Sequence, residues 1–278
     1  MDKLPISVII PTKNNGNTLK QCLDSIIQNN PAEILIIDGL SHDNTIEIAQ
    51  KYTNKIYSDE GRGPSAAHQL GVLHANQEYI AYIDADIVMP ENTLLKLLSE
   101  LRLSNFVGMQ AKIIAASKES YWERGADFNI TAFQNSKYGF GISAAVLKRD
   151  IILKYGFDEF IKPAGDDYDL YLRLQMDGNN VGISNNEVYH YHKANFNTVV
   201  KINLRYAKAY PRFILKYGLF NAHFYPPLTR LYWTILCVIK GKPNFIPYFV
   251  VLGLAETLGM IKGFFDIPFE YIRKLKRK

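Results

Sequence analysis

Three short runs, Ser7-Val8-Ile9-Ile10, Ile34-Leu35-Ile36-Ile37 and Tyr79-Ile80-Ala81-Tyr82-Ile83, carry almost no polar alternation and each gives way to polar or turn residues. Apolar runs of this length read as strands buried on both faces, the pattern of a mostly parallel sheet covered by helices. The segments between them supply the helices. Leu19, Leu23, Ile26 and Ile27 follow helical spacing, and Asn44 with Glu47 three residues on predicts an N-cap for a helix running to about Lys51. A helical stretch is expected from Ala66 to Ala75, and Pro90 stands where the first turn of a Leu-rich helix should begin. Pro11 is expected to stop the first strand. Strand–helix alternation of this kind defines an α/β class.

Charge divides the 278-residue chain in two. Residues 1–192 hold 17 Lys+Arg and 24 Asp+Glu, a net of −7; residues 193–278 hold 15 Lys+Arg and 3 Asp+Glu, a net of +12. We therefore expect an acidic α/β domain over 1–194 and a basic, helical, membrane-associating region over 195–278. At 47% hydrophobic and 21% charged residues the chain is not of a disordered class. Two distant cysteines, Cys22 and Cys237, exclude a disulfide scaffold or zinc finger and fit a reducing compartment. Met1 to Pro5 leads straight into a strand, so no secretory signal peptide is expected.

Ligands of open α/β sheets bind beyond the carboxyl ends of the strands, and the polar clusters lie there: Thr12-Lys13-Asn14-Asn15, Asp38 and Asp84-Ala85-Asp86. Neither G-x-G-x-x-G after the first strand nor G-x-x-x-x-G-K-[ST] occurs, which argues against dinucleotide-binding and P-loop folds. Two carboxylates one residue apart at a strand end suit one hard cation, Mg²⁺ or Mn²⁺, with positions left open for substrate phosphates; solvated turn residues are the plain alternative. Gly61-Arg62-Gly63-Pro64-Ser65 before a helix is suited to phosphate, through free backbone N–H groups and the helix dipole. His68 and His74 on that helix are expected to be packing or surface residues. Gly165-Asp166-Asp167-Tyr168-Asp169 opens another helix. Crowded carboxylates raise one another's proton affinity, which suits a general base, with Asp167 as base and Asp169 as a first-turn charge.

Taken in order, Val8-Ile9-Ile10-Pro11-Thr12 with Asn14, Ile36-Ile37-Asp38-Gly39 with Asp43 and Thr45, Gly61-Arg62-Gly63, Asp84-Ala85-Asp86 and Asp166-Asp167-x-Asp169-Leu170 resemble family-2 glycosyltransferases of the GT-A fold over roughly residues 5–195. The resemblance implies a mostly parallel nucleotide-binding sheet flanked by helices, and inverting transfer from a nucleoside diphosphate sugar, with uridine the default base. It implies that Pro11, Thr12, Asn14, Asp38, Arg62 and Asp84 contact the nucleotide and that Asp86 holds the cation. His190 of His190-Tyr191-His192 would be a further metal ligand, with His192 the alternative. It implies Asp167 as the catalytic base, and Gly141, Ile142 and Asp166 on the sugar and acceptor side; for Gly139-Phe140-Gly141-Ile142-Ser143 a tight turn before a strand is the alternative. Asp166 replaces the family's usual Glu. No Q-x-x-R-W follows, which argues against a processive polymer synthase and for single addition. A degenerate nucleotide-sugar and membrane-binding module is the second reading, and a nucleotidyltransferase is disfavoured by the absence of a glycine-rich first loop.

In the tail, Lys201, Arg205, Lys208, Arg212 and Lys216 fall within an arc of about 80° on a helix, opposite Val199, Tyr206, Tyr210, Phe213 and Tyr217, with a kink expected at Pro211. A basic stripe opposite an aromatic one describes a helix in a membrane interface; an amphipathic helix packed on the domain is the alternative. The apolar runs Leu231–Ile239 and Phe245–Ile261 are short for a span, the second carrying Glu256, and fit a re-entrant hairpin or interfacial packing. With the basic end Arg273–Lys278 they predict a peripheral or monotopic position on the cytoplasmic face, a lipid-linked or glycan acceptor, and no nucleic acid.

Overall fold

The computed structural model describes residues 3–131, 140–191, 194–218 and 226–267, with side chains from 230 onward in the last segment. His192, Gly139 and the basic end Arg273–Lys278 lie outside the described residues. The chain forms two compact units: 1–118 with 126–159 and 166–192, and 119–125 with 160–165 and 193–278. The segments 119–125 and 160–165, which nothing in the sequence marks off from the α/β part, belong to the second unit.

The first unit is built on an eight-stranded sheet in the order β3-β2-β1-β4-β7-β6-β8-β5. The strands are β1 (Leu4–Thr12), β2 (Pro31–Asp38), β3 (Ile56–Ser58), β4 (Tyr79–Ile83), β5 (Ile87–Val88), β6 (Gly108–Ala115), β7 (Ala144–Lys148) and β8 (Val181–His190). The helices of this part are α1 (Leu19–Ile27), α2 (Thr45–Ala49), α3 (Pro64–His74), α4 (Thr93–Leu103), α5 (Tyr121–Asn129, whose first residues belong to the other unit), α6 (Arg149–Tyr155) and α7 (Asp166–Met176). β1 to β4 are mutually parallel, as are β6 and β8. β7 runs antiparallel to both its neighbours, and β5 to β8, so the sheet is mixed.

The continuous apolar runs have a direct cause. Val8, Ile10, Ile34, Ile36, Ala81 and Ile83 point to one face, packed with Leu23, Ile26, Leu94 and Leu98 of α1 and α4. Ile9, Leu35, Ile37, Ile80 and Tyr82 point to the other, with Ala67, Val72, Ile152, Leu170 and Leu174 of α3, α6 and α7. Side chains alternate faces along a strand, so two buried faces demand two interleaved apolar sets.

Local details depart from expectation. β1 continues through Pro11 to Thr12; its pairing with β4 ends at Ile9, so Pro11 has a strand neighbour on β2 only and no central ladder is broken. Asn44 precedes α2 but its side chain makes no capping bond, and α2 ends at Ala49. Pro90 lies ahead of α4 rather than in its first turn, where its carbonyl accepts the Thr93 hydroxyl at 2.7 Å. Ile27 turns out to solvent.

The second unit contains α8 (Phe196–Ala207), α9 (Tyr210–Tyr217), α10 (Pro226–Ile239) and α11 (Ile246–Phe265). The single striped helix expected over 199–217 is instead two helices, with Pro211 in the first turn of the second. The basic stripe is partly consumed. Arg212 is buried and donates to the backbone carbonyls of Lys208 and Asp266, each at 3.1 Å, while Lys208 pairs with Asp266 at 3.0 Å. Lys201 and Arg205 remain exposed. Glu256 is not a free charge in an apolar helix: it is buried and ion-paired with Arg230 of α10. α11 with the turn before it, Pro243–Phe265, is 23 residues long, enough to cross a membrane by length and composition, and only a third of its most apolar window is buried. Val250, Leu254, Leu258, Ile261 and Phe265 on α11 and Leu231, Ile235, Val238 and Ile239 on α10 are exposed.

α3 lies on β1 at a close approach set by Gly71. A Cβ there would stand 2.4 Å from Ile9 Cγ2 in the fully buried core. Gly71→Ala gains helix propensity of about 1 kcal/mol but overpacks this contact by about 1–3 kcal/mol. Thermal unfolding of the variant is expected to shift down by a few degrees; an unchanged or raised Tm would contradict the packing described.

Candidate active site

The sheet delivers its polar residues to one edge. Thr12 and Asp38 end adjacent parallel strands in register, and the Thr12 hydroxyl donates to Asp38 Oδ1 at 3.3 Å. Asp38 also accepts the Ser41 backbone N–H at 2.9 Å and the Ser41 hydroxyl at 2.6 Å, which fixes its orientation. The 13–16 loop leans on the turn after β2. Asn14, in the left-handed region at φ 55°, accepts the His42 N–H through Oδ1 at 2.8 Å, and Gly16 N–H donates to Asp43 at 3.0 Å. The Asn14 side-chain oxygen therefore shapes the loop.

The glycine-rich turn differs from expectation in its chemistry. Its N–H groups are not free: Gly61 and Gly63 both donate to the carboxylate of Asp59, at 2.8 and 3.1 Å. Asp59 is 2% exposed, and the turn it ties together holds Glu60, Gly61 and Gly63 at positive φ. An aspartate just before a glycine turn is a recognisable Asx-turn former. Arg62 itself stands half exposed, its Nε donating to the Asp59 carbonyl at 3.2 Å and its Nη1 facing Glu159 at 3.2 Å.

Asp84 and Asp86 follow β4 in a short turn anchored by Asp84 N–H to the Ser143 carbonyl at 2.9 Å and Ile87 N–H to the Asp84 carbonyl at 3.0 Å. β5 then pairs with the end of β8, which sets His190 opposite Ile87 and brings His190 Nε2 to 3.1 Å from Asp86 Oδ1. Burial and the neighbouring Asp86 hold the Asp84 carboxyl above its ordinary range. Burial disfavours protonation of His190, but the Asp86 carboxylate outweighs it and raises the imidazole's proton affinity. Hard carboxylate oxygens, an imidazole and crowded negative charge are a donor set that fits Mg²⁺ or Mn²⁺. Among the described residues no group of three or more His, Cys, Asp or Glu side chains is placed to hold a metal ion together.

At the start of α7 the three aspartates have separate partners. Asp169 is fully buried and bound to Arg173 Nε at 2.8 Å, whose other nitrogens bond the carbonyls of Tyr155 and Gly156. Asp166, also buried, meets His68 Nδ1 at 2.6 Å. Asp167 accepts only the Tyr168 backbone N–H, at 2.8 Å, among the bonds the structure resolves. Burial, and then the Asp166 charge, raise its pKa to about 7. Gly141 lies beside it: a Cβ on Gly141 would stand 3.4 Å from Asp167 Oδ2. Gly141 N–H donates to the fully buried Gln110 at 2.7 Å, a supporting residue that no sequence pattern marked. Ile142, expected on the sugar side, is instead in the core with Phe140 and Leu170 and supports the loop from beneath.

The model of glycosyl transferase family 2 matches residues 7–156, more than half of the chain. The chain belongs to glycosyl transferase family 2. A cholesterol galactosyltransferase of Borreliella burgdorferi is 36% identical over 103 residues, 34% of this chain and 28% of the relative. The Escherichia coli enzyme WfgD, a UDP-Glc:alpha-D-GlcNAc-diphosphoundecaprenol beta-1,3-glucosyltransferase, is 23% identical over 192 residues, 64% of this chain and 73% of the relative. In three dimensions the chain is similar to glucosyl-3-phosphoglycerate synthase of Mycobacterium tuberculosis, solved with Mg²⁺ and UDP. The TM-score is 0.56 with 15% identity, over 75% of this chain and 78% of the synthase, a likeness of GT-A fold. The aligned part of the chain spans only about a quarter to a third of the first curated relatives. Asp166, Asp167 and His190 lie beyond the matched 7–156 region.

Losing Asp59 removes the shared acceptor of the Gly61 and Gly63 N–H groups, two bonds that contribute about 0.5–1.5 kcal/mol each to the turn. Asp59→Ala is expected to open the turn to trypsin after Arg62 under native conditions, while the parent chain is cut slowly there. A digest unchanged by the substitution would contradict the role of Asp59.

Proposed function

We propose that this protein transfers a sugar from a nucleoside diphosphate sugar, UDP-linked by default, to a hydroxyl of a lipid-linked or glycan acceptor, with inversion and one addition per acceptor. The observation that carries the reading is Asp167: a carboxylate with proton affinity suited to neutral pH, beside a glycine and next to the acidic edge of a GT-A sheet. A general base works best when its pKa lies near the operating pH.

In this mechanism Thr12, Asp38 and the loop through Asn14 receive the nucleoside, Pro11 shapes the strand end beneath them, and Arg62 faces the phosphates. Asp86, with His190 alongside and Asp84 on the ribose side, would hold Mg²⁺ or Mn²⁺, which supplies positive charge to the leaving diphosphate. Asp167 takes the proton of the acceptor hydroxyl as its oxygen bonds the anomeric carbon from the face opposite the diphosphate. The carbon–oxygen bond to phosphate breaks, and the nucleoside diphosphate leaves with the electron pair. Gly141 keeps space open beside Asp167 for the acceptor.

The membrane part of the proposal rests on the second unit. Its exposed Leu, Val, Ile and Phe side chains on α10 and α11 form the kind of apolar face that soluble monomers rarely leave bare. Exposed Lys240, Lys242 and Lys262 accompany it, and cations beside an apolar face favour anionic lipid. We place the protein on the cytoplasmic face of a membrane on this basis.

Release of nucleoside diphosphate from a panel of sugar nucleotides, with Mg²⁺ or Mn²⁺ and lipid-linked acceptors, tests the chemistry. Asp167→Asn is expected to lower kcat on the order of 10²-fold or more with donor binding retained. For the parent enzyme kcat/KM should fall with decreasing pH along a limb well above the usual carboxylate range near 4, because a base protonated there accepts no proton. Full activity in Asp167→Asn removes the assigned base. Donor binding with no turnover on any pair would favour the non-catalytic binding module. Separately, Leu254→Asp with Leu258→Asp should abolish flotation with phosphatidylglycerol-containing vesicles; flotation equal to the parent chain's would contradict the membrane face.

A further inference from the structure

His68 is packed in the interior, as its sequence position suggests, and also carries an ion pair there. It lies on α3, on the sheet face opposite α1 and α4, and is 7% exposed. Its ring is boxed by Tyr82, at 5.1 Å edge-on, and by Phe157, also at 5.1 Å, while the Tyr82 hydroxyl donates to its backbone carbonyl at 3.0 Å. In that apolar box its Nδ1 sits 2.6 Å from Asp166 Oδ2, with both side chains more than nine-tenths buried. Burying an ionised carboxylate is costly unless it is paired and hydrogen-bonded, and the partner provided is a residue 98 positions away in the chain.

We infer that His68 is a positioning residue for the transfer reaction: as an imidazolium it pins the Asp166 carboxylate, and the pair sets the field in which Asp167 receives the acceptor's proton. The inference rests on the reading of Asp167 as the base. The geometry gives it two parts. Asp166 immediately precedes Asp167 at the first turn of α7, so holding its carboxylate to α3 holds the start of that helix to the sheet. Electrically, Asp166 and Asp84 push the proton affinity of Asp167 up and His68 pulls it down. The titratable groups facing His68 are Asp166, Asp167 and Asp84, with Tyr82 against its ring. Burial disfavours a charge on His68, and Asp166 more than restores it.

The two members of the pair act on Asp167 with opposite sign, and the test uses that. In His68→Gln a neutral side chain remains to hydrogen-bond Asp166, whose charge is no longer balanced. The acid limb of kcat/KM should then move to higher pH by about one unit, so that activity on the limb drops roughly tenfold. In Asp166→Asn the like charge is gone and the limb should move to lower pH. Donor affinity should stay within about twofold in His68→Gln. A purely structural role lowers kcat in both without moving the limb, and that result overturns the inference, as does a limb moving to lower pH in His68→Gln. Should His68→Gln not fold, an unmoved limb in Asp166→Asn alone overturns it. Asp167→Asn, run alongside, separates the two levels. Undiminished activity there rejects the base itself, whereas loss of activity there with unmoved limbs in the other two variants rejects only the role given to His68.

Discussion

Carboxylates gathered in low-dielectric surroundings at one edge of a sheet must each be balanced, and the site is organised around how this is done. Parallel strands all end at the same side, so a chain that buries its strands on both faces delivers its polar residues together. Asp38 is held by Ser41 and Thr12, Asp59 by the N–H groups of its own turn, Asp86 by His190, Asp166 by His68 and Asp169 by Arg173. Asp84 and Asp167 are held above the ordinary carboxylate range by burial, each with a like charge as the next cause. A site with this distribution is suited to a cation and to proton uptake, as the proposed departure of a diphosphate and activation of a hydroxyl would require.

The second unit solves a different problem with the same physics. Glu256 in an apolar helix would be costly alone, and Arg230 neutralises it between α10 and α11. Close packing of α11 on α8 is possible because Gly259 and Gly263 present bare backbone to the carbonyls of Leu204 and Lys208. The surplus of positive charge is therefore not a uniform surface: Arg212 and Lys208 serve the fold, while Lys201, Arg205 and the lysines flanking α11 remain outside.

Much of the sheet was legible because burial on both faces leaves an unmistakable run of apolar residues; Tyr79–Ile83 is a strand over its whole predicted length. The acidic positions were legible for a related reason, since charged residues directly after such runs have few purely structural uses. What escaped was contact between distant segments. His68 gains its meaning from Asp166 and Gln110 from Gly141. The helical period over 199–217 describes an unbroken helix, whereas the chain forms two helices, Phe196–Ala207 and Tyr210–Tyr217, and Arg212 of the second is buried. Ile142 misled because a segment that lines a site need not point every side chain into it.

On the proposed function the acidic edge recognises a nucleoside diphosphate through a cation held at Asp86. Calorimetric titration of the full chain with UDP, in Mn²⁺ and then in EDTA, tests it most directly. The account predicts micromolar-range binding in Mn²⁺ that is lost in EDTA and in Asp86→Ala, with the unfolding temperature of the variant close to the parent's. UDP binding of equal affinity in EDTA, or undiminished in Asp86→Ala, would contradict it.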